Sequence, residues 1–67
     1  MGSEQKTYTS LWEHDGLMWF VRIAEIEGCH SQGRTIPQAR ERIREALSLF
    51  DKQAQHAKIV EYVKRDE

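Results

Sequence analysis

The sequence predicts a small α+β domain with two layers, in which a mostly antiparallel sheet carries one helix on one face in the order β-β-β-α-β. Two runs rich in aromatic and β-branched residues flank a glycine-containing turn, as in a hairpin. A long amphipathic run with a helix-start signal follows, and a short β-rich run comes after it. With 67 residues, the chain has room for one compact domain, which buries only about 60% of the surface exposed by the unfolded form.

The N-terminal half of the chain predicts three strands. Residues 7–13 alternate around Tyr8, Leu11 and Trp12 with Thr neighbours, and residues 18–23 are rich in Trp, Phe, Val and Ile; both runs contain residues that favour strands. Residues 14–16, His-Asp-Gly, supply the left-handed conformations that a tight hairpin turn needs. Residues 28–33 begin and end with glycine and favour a short third strand between these two glycines.

A helix is predicted to begin after Thr35 and to run to about Gln55. Thr35 and Gln38 are spaced as a capping box, and Pro37 lies in the first turn, where its missing N–H forfeits no helical hydrogen bond. Apolar residues then recur at helical spacing on one face. This stripe contains Ala39, Ile43, Ala46, Leu47, Phe50 and Ala54.

The remaining segments complete the expected layout. Residues 58–63 are β-rich and predict a closing strand. We expect a single domain over residues 7–63, a disordered N-terminus over residues 1–6 and a charged, solvated tail over residues 64–67.

Charge and cysteine content narrow the classes of function. The formal net charge is −1 with acidic and basic residues interspersed, which argues against a domain that wraps nucleic acid phosphates. Cys29 is the only cysteine, so no intramolecular disulfide can form, and a lone thiol fits a reducing cytoplasm. No run approaches the roughly 18 apolar residues of a membrane span. We therefore expect a cytoplasmic protein with no membrane partner.

One helix covers only one face of a small sheet, so the alternation of the second strand predicts an exposed apolar patch. Trp19, Val21 and Ile23 point to one face, which we expect to lie under the helix. Patches of this kind mark subunit or partner interfaces, although a loop or the tail folding over the patch is the alternative. The expected oligomer interface consists of Met18 and Phe20 with, on the matching face of the first strand, Tyr8 and Trp12.

Arginines near the start of the helix predict a second contact surface. Arg40 and Arg44 are four residues apart and share a helical face. Basic residues near a helix N-terminus oppose the macrodipole, which indicates a use such as contact with the acidic groups of a partner or with RNA phosphates. A solvated face whose charge is balanced by Glu41 and Glu45 is the favoured interpretation.

No catalytic, cofactor-binding or metal site is predicted, so we do not expect an enzyme. Two-metal nucleases need convergent carboxylates, whereas the acids near the strands lie mainly in turns or at strand ends. Those acids are Glu13, Asp15, Glu25 and Glu27. Cys29 and His30 are adjacent on an extended segment and point to opposite faces, so they cannot easily share a metal ion or act as a catalytic pair.

Residues 15–50 together resemble a known family. They combine a glycine turn, an aromatic strand, the run Gly-Cys-His-Ser-Gln-Gly-Arg-Thr and a helix with a Glu-Ala pair. This order resembles the N-terminal domain of HicB-like antitoxins. The motif residues are Gly28, Cys29, Gly33 and Thr35.

The resemblance implies a partial RNase-H-like fold, a homo-oligomer that is a dimer or a tetramer, and neutralisation of a small mRNA-cleaving toxin of the HicA type. Family members usually have prolines where this chain has Ala24 and Glu27, and an acidic pair where it has Pro37 and Gln38. Many also continue into a DNA-binding domain, so we expect no DNA binding by this chain alone. A stand-alone scaffold or regulatory domain is one alternative function, and a weak RNA-binding or nuclease protein on a degraded RNase-H-like fold is another.

Overall fold

The computed structural model describes residues 6–64, which form the predicted β-β-β-α-β order. The α+β class, with one helix on one face of the sheet, is confirmed. The expectations for residues 1–5 and 65–67 lie outside the described residues. The strands are β1 (Thr7–Asp15), β2 (Met18–Ile23), β3 (His30–Gly33) and β4 (Lys58–Val63).

The four strands form one sheet in the order β3-β2-β1-β4. Strand β1 is antiparallel to β2, and β2 is antiparallel to β3, whereas β4 is parallel to β1. Strand β1 extends two residues beyond the predicted end at Glu13, because Asp15 still pairs with Met18. Only Gly16 and Leu17 remain in the turn, and Gly16 has a φ of 65°, as the first central residue of a type II′ hairpin requires.

Helix α1 (Ile36–Phe50) connects β3 at one edge of the sheet with β4 at the other. Thr35 caps its N-terminus as predicted, since the hydroxyl oxygen accepts a hydrogen bond of 3.2 Å from the Gln38 N–H. The Gln38 side chain reaches one residue further back than in a standard capping box. Its oxygen accepts from the Arg34 N–H at 2.8 Å rather than from the capping residue.

Helix α1 ends at Phe50, five residues before the predicted end, because Asp51 starts a new element. The Asp51 carboxylate caps a short 3-10 helix (Lys52–His56) and accepts a hydrogen bond of 3.0 Å from the Gln53 N–H. Aspartate is a strong N-cap residue, which favours a break at this position. Phe50, the last residue of α1, was predicted to lie on the apolar stripe but is 55% exposed.

The core lies between α1 and the face of the sheet that carries Val21 and Ile23. The buried apolar residues are Trp12, Val21, Ile23, Cys29, Ala39, Ile43, Leu47, Ala54 and Ala57. Gly33 permits the close approach of α1 to β3, since a Cβ at this position would lie 2.8 Å from the Ala39 nitrogen. A side chain at this position would push the start of the helix away from the sheet.

The predicted placement of Tyr8 and Trp12 on the uncovered face is wrong. The register pairs Trp12 with Val21, so both side chains point toward α1, and Trp12 is only 2% exposed. Tyr8 lies on the same side of β1 and packs against the core. The sequence alone does not give this register, and a shift of one residue reverses the face of every side chain in a strand.

The Asp51 carboxylate also ties the start of β1 to the end of α1. It accepts hydrogen bonds from the Tyr8 hydroxyl at 2.6 Å and from the Lys6 ammonium at 2.9 Å. The Tyr8 hydroxyl first, and then Lys6 and the Gln53 N–H, hold the pKa of Asp51 at about 2, below its ordinary value of 3.8. The charged carboxylate of Asp51 therefore connects the start of β1 with the end of α1 through non-covalent contacts.

We expect Asp51→Asn to lower the melting temperature near neutral pH and to have little effect in strong acid. Because the pKa of Asp51 is lowered on folding, the stabilisation is complete above 3.8 and is lost as the pH falls toward about 2. Melting temperatures of both proteins at about pH 6 and about pH 1.5 test this. An equal difference at both pH values would contradict the role of the charged carboxylate.

Candidate functional site

The side of the sheet opposite α1 is bare and is called the outer face below. The strand registers place on it residues that alternate with the core residues. Its central residues are Leu11, Glu13, Met18, Phe20, Arg22, His30, Gln32 and Tyr62. A groove of about 460 Å³ crosses this face and is lined by Leu11, Phe20 and Tyr62 among others.

The outer face exposes large apolar side chains side by side. Phe20 is 38% exposed and Tyr62 is 58% exposed, while Leu11 and Met18 are half-buried. These exposures mean that no loop within residues 6–64 covers the patch. Contiguous apolar patches of this kind on a small domain are typical of contact surfaces.

The predicted positions of Met18 and Phe20 on the uncovered face are confirmed, whereas Leu11 and Tyr62 were missed. Leu11 alternates with Trp12, so the two cannot share a face. Once Trp12 is assigned to the core, Leu11 moves to the outer face, and Tyr62 follows because β4 pairs it with Leu11. The signal was therefore present but depended on the register.

The helical arginines are held by the rest of the chain. The Arg40 guanidinium donates to both carboxylate oxygens of Glu61, from Nε at 2.7 Å and from Nη2 at 3.1 Å. This forked contact raises the pKa of Arg40 and joins α1 to β4. Arg44 lies 3.5 Å from the Ala54 carbonyl oxygen. The predicted Arg40 and Arg44 contact surface is thus engaged within the chain, and Glu61, rather than Glu41 or Glu45, balances Arg40.

Arg42 protects one edge of the sheet. Its guanidinium donates to the Gln32 carbonyl oxygen at 3.2 Å, and Gln32 lies in the edge strand β3. Edge strands with unpaired backbone groups are open to pairing with other chains. The short β3 with this contact is therefore a poor site for adding another strand.

The motif residues have structural positions. Gly28 has a φ of 90°, which side chains rarely tolerate, and its turn lets the Ile23 N–H donate to the Cys29 carbonyl at 2.9 Å. Cys29 is 1% exposed, and burial raises the pKa of its thiol, so the thiolate form that reacts is disfavoured. Gly33 and Thr35 bring the start of α1 onto β3 and cap it.

The acidic and metal-ligating side chains do not converge. Glu13 and Asp15 lie on the outer face of β1, whereas the Glu25 carboxylate accepts bonds from the Thr9 N–H and hydroxyl, both at 2.8 Å. These bonds, the backbone one first, lower the pKa of Glu25. Within residues 6–64, no group of three or more His, Cys, Asp or Glu side chains is placed to hold a metal ion.

Cys29 and His30 point to opposite sides of the sheet, as predicted from their adjacency. Cys29 lies in the core, whereas His30 is exposed on the outer face, where β2 pairs it with Arg22. His14 contacts the Trp19 ring instead, with the ring centres 4.5 Å apart. The structure therefore brings neither Cys29 and His30 nor His14 and His30 together in a shared site.

The fold and the outer face define a small α+β domain with one bare apolar sheet surface. A scan against models of protein families, a search of curated proteins and a search of solved structures each found no match to the chain. Over residues 6–64, no helix is both long enough and apolar enough to cross a membrane.

Proposed function

We propose that this chain is a HicB-like antitoxin-type binding module of the cytoplasm, which associates with a second copy through the outer face and neutralises a small mRNA-cleaving toxin by protein–protein binding. The observation that carries the proposal is the bare apolar patch around Phe20 and Tyr62. An aromatic side chain at the centre of a patch is a typical anchor of a protein interface.

The local geometry of the motif residues supports kinship with the HicB-like family. Gly28 makes the turn before β3, and Gly33 lets α1 approach that strand closely. Thr35 caps the helix that follows. Gly28, Gly33 and Thr35 thus each have a structural reason for their identity, and the small α+β fold with one helix on the sheet is consistent with the resemblance.

The distribution of polar groups favours binding over catalysis as the proposed activity. The groove is lined mainly by apolar and charged residues. The Glu25 carboxylate already accepts hydrogen bonds from Thr9. Arg40 and Arg44 are likewise engaged within the chain. The outer face leaves the apolar side chains of Phe20 and Tyr62 exposed beside Glu13 and Arg22, and covering such apolar surface with another protein releases free energy.

Co-expression with any small basic open reading frame adjacent to the gene tests the toxin-binding part of the proposal. We expect the two proteins to purify as one complex with a fixed ratio, and the ribonuclease activity of the second protein to be suppressed in it. A matched co-expression with an unrelated small basic protein controls for charge alone. If the neighbouring protein purifies separately and cleaves mRNA at an unchanged rate, this antitoxin role is wrong.

A further inference from the structure

Four residues at the centre of the outer face, Leu11, Glu13, Phe20 and Arg22, form a block in which apolar and charged side chains alternate. The register between β1 and β2 pairs Leu11 with Arg22 and Glu13 with Phe20. The apolar residues therefore occupy one diagonal of the block, and the oppositely charged residues occupy the other. Diagonal neighbours on one face of an antiparallel pair have Cα atoms about 7–8 Å apart.

When a second copy is placed on the block by a two-fold rotation about an axis in the plane of the sheet, only one direction of the axis gives complementary contacts. An axis along the Leu11–Phe20 diagonal places each apolar residue against its own copy and brings Arg22 to Glu13 of the second copy. An axis along the other diagonal would set like charges against each other. Axes parallel or perpendicular to the strands would set each charge against an apolar side chain, which costs free energy without a compensating partner.

We propose that two copies of this chain pack outer face to outer face about the Leu11–Phe20 diagonal, with Arg22 of each copy paired to Glu13 of the other. The inference rests on the proposed self-association and specifies its geometry. Packed sheets lie about 10 Å apart, a gap that an arginine and a glutamate side chain bridge together. The strand spacing and rise set the crossing angle of the two sheets at about 70°, which is nearer to orthogonal than to aligned sheet packing.

The charged residues of the block are available for such pairing. The Arg22 side chain has no hydrogen bond or ion pair to any residue in the range 6–64. Glu13 has a loose contact with Lys64, at 3.9 Å between charged atoms that remain largely exposed. A loose surface pair of this kind contributes little to stability, so Glu13 loses little free energy when it leaves Lys64 to pair with Arg22 of a second copy.

Charge exchange between the two positions tests this geometry. Arg22→Glu and Glu13→Arg each place like charges opposite each other, and each is expected to raise the dimer dissociation constant by at least about tenfold. The variant carrying both changes restores opposite charges and is expected to return within about threefold of the unmodified chain. Sedimentation equilibrium measures the constants, and circular dichroism confirms that each variant is folded.

Matched controls carry the same changes of charge away from the block. Lys52→Glu lies in the 3-10 helix and Glu41→Arg lies on the exposed side of α1, so both changes are off the outer face and should leave the dissociation constant within about threefold. Rescue by the double exchange supports the diagonal packing. Single variants without effect, or a double variant that stays dissociated, overturn it. Phe20→Asp distinguishes failure of the diagonal geometry from failure of the outer-face association. A dimer unaffected by Phe20→Asp would contradict the association through the outer face itself.

Discussion

Trp12→Ala is expected to unfold the domain or to leave it folded only marginally. Trp12 is 2% exposed and lies against Trp19, with ring centres 6.2 Å apart. Removing a buried tryptophan side chain costs about 3–5 kcal/mol, and the core of so small a domain rarely supplies more than about 3–5 kcal/mol of net stability. Urea unfolding followed by circular dichroism measures the loss.

The polar end of the Trp12 ring adds a second loss. Its Nε1–H donates to the Ser10 hydroxyl at 2.9 Å, and that hydroxyl donates to the Val60 carbonyl at 3.0 Å. This chain of hydrogen bonds connects β1 to β4 in the core. Trp12→Phe, which keeps an aromatic ring but removes the donor, should cost only about 1–3 kcal/mol.

Leu49→Ala is the control for Trp12→Ala, because Leu49 is 86% exposed on α1 and its truncation should change stability by less than about 0.5 kcal/mol. A Trp12→Ala protein with an unchanged urea midpoint would mean that Trp12 lies on the outer face and that the register of β1 is reversed.

Phe20→Asp is expected to give a folded monomer. Phe20 lies at the centre of the outer face and is 38% exposed, so a charge at this position can remain hydrated in the isolated chain. At an interface the same charge would be buried, and it would also lie beside Glu13, its register partner in β1. Loss of a central aromatic anchor costs at least about 2 kcal/mol, so we expect the dimer dissociation constant to rise by at least about thirtyfold.

Leu17→Asp is the matched control for Phe20→Asp. Leu17 is 83% exposed in the turn between β1 and β2, so the same substitution there should leave both fold and mass unchanged. Sedimentation velocity and circular dichroism follow the three proteins. An unfolded Phe20→Asp protein would mean that Phe20 belongs to the core, and a folded Phe20→Asp dimer would place the interface elsewhere.

The order of elements could be predicted because each has a local signal. Thr35 and Pro37 mark the start of α1, and the glycine of the first turn marks the hairpin. The end of α1 could not be predicted, because helical apolar spacing continues to Ala54, which is buried although it lies in the separate 3-10 helix. Ala54 would show the same sequence pattern whether it were buried in a continuous helix or, as observed, in a second helix after α1 ends.

The candidate site was only half predictable, because it depends on non-local pairing. The alternation within β2 correctly assigned Met18 and Phe20 to the uncovered face. Which side of β1 joins them depends on the register, and the prediction for Tyr8 and Trp12 puts these residues on the wrong face. The bond between Arg40 and Glu61 connects α1 to a strand 21 residues later, and no local pattern in the helix indicates it.

The mass of the unmodified chain in a dilution series, followed by light scattering, tests the central claim most directly. We expect a dimer at high concentration that dissociates toward the monomer on dilution, because the free energy gained by covering the outer face competes with the entropy of association. A monomer at every concentration, up to about 1 mM, would contradict the assignment of the outer face as a self-association surface.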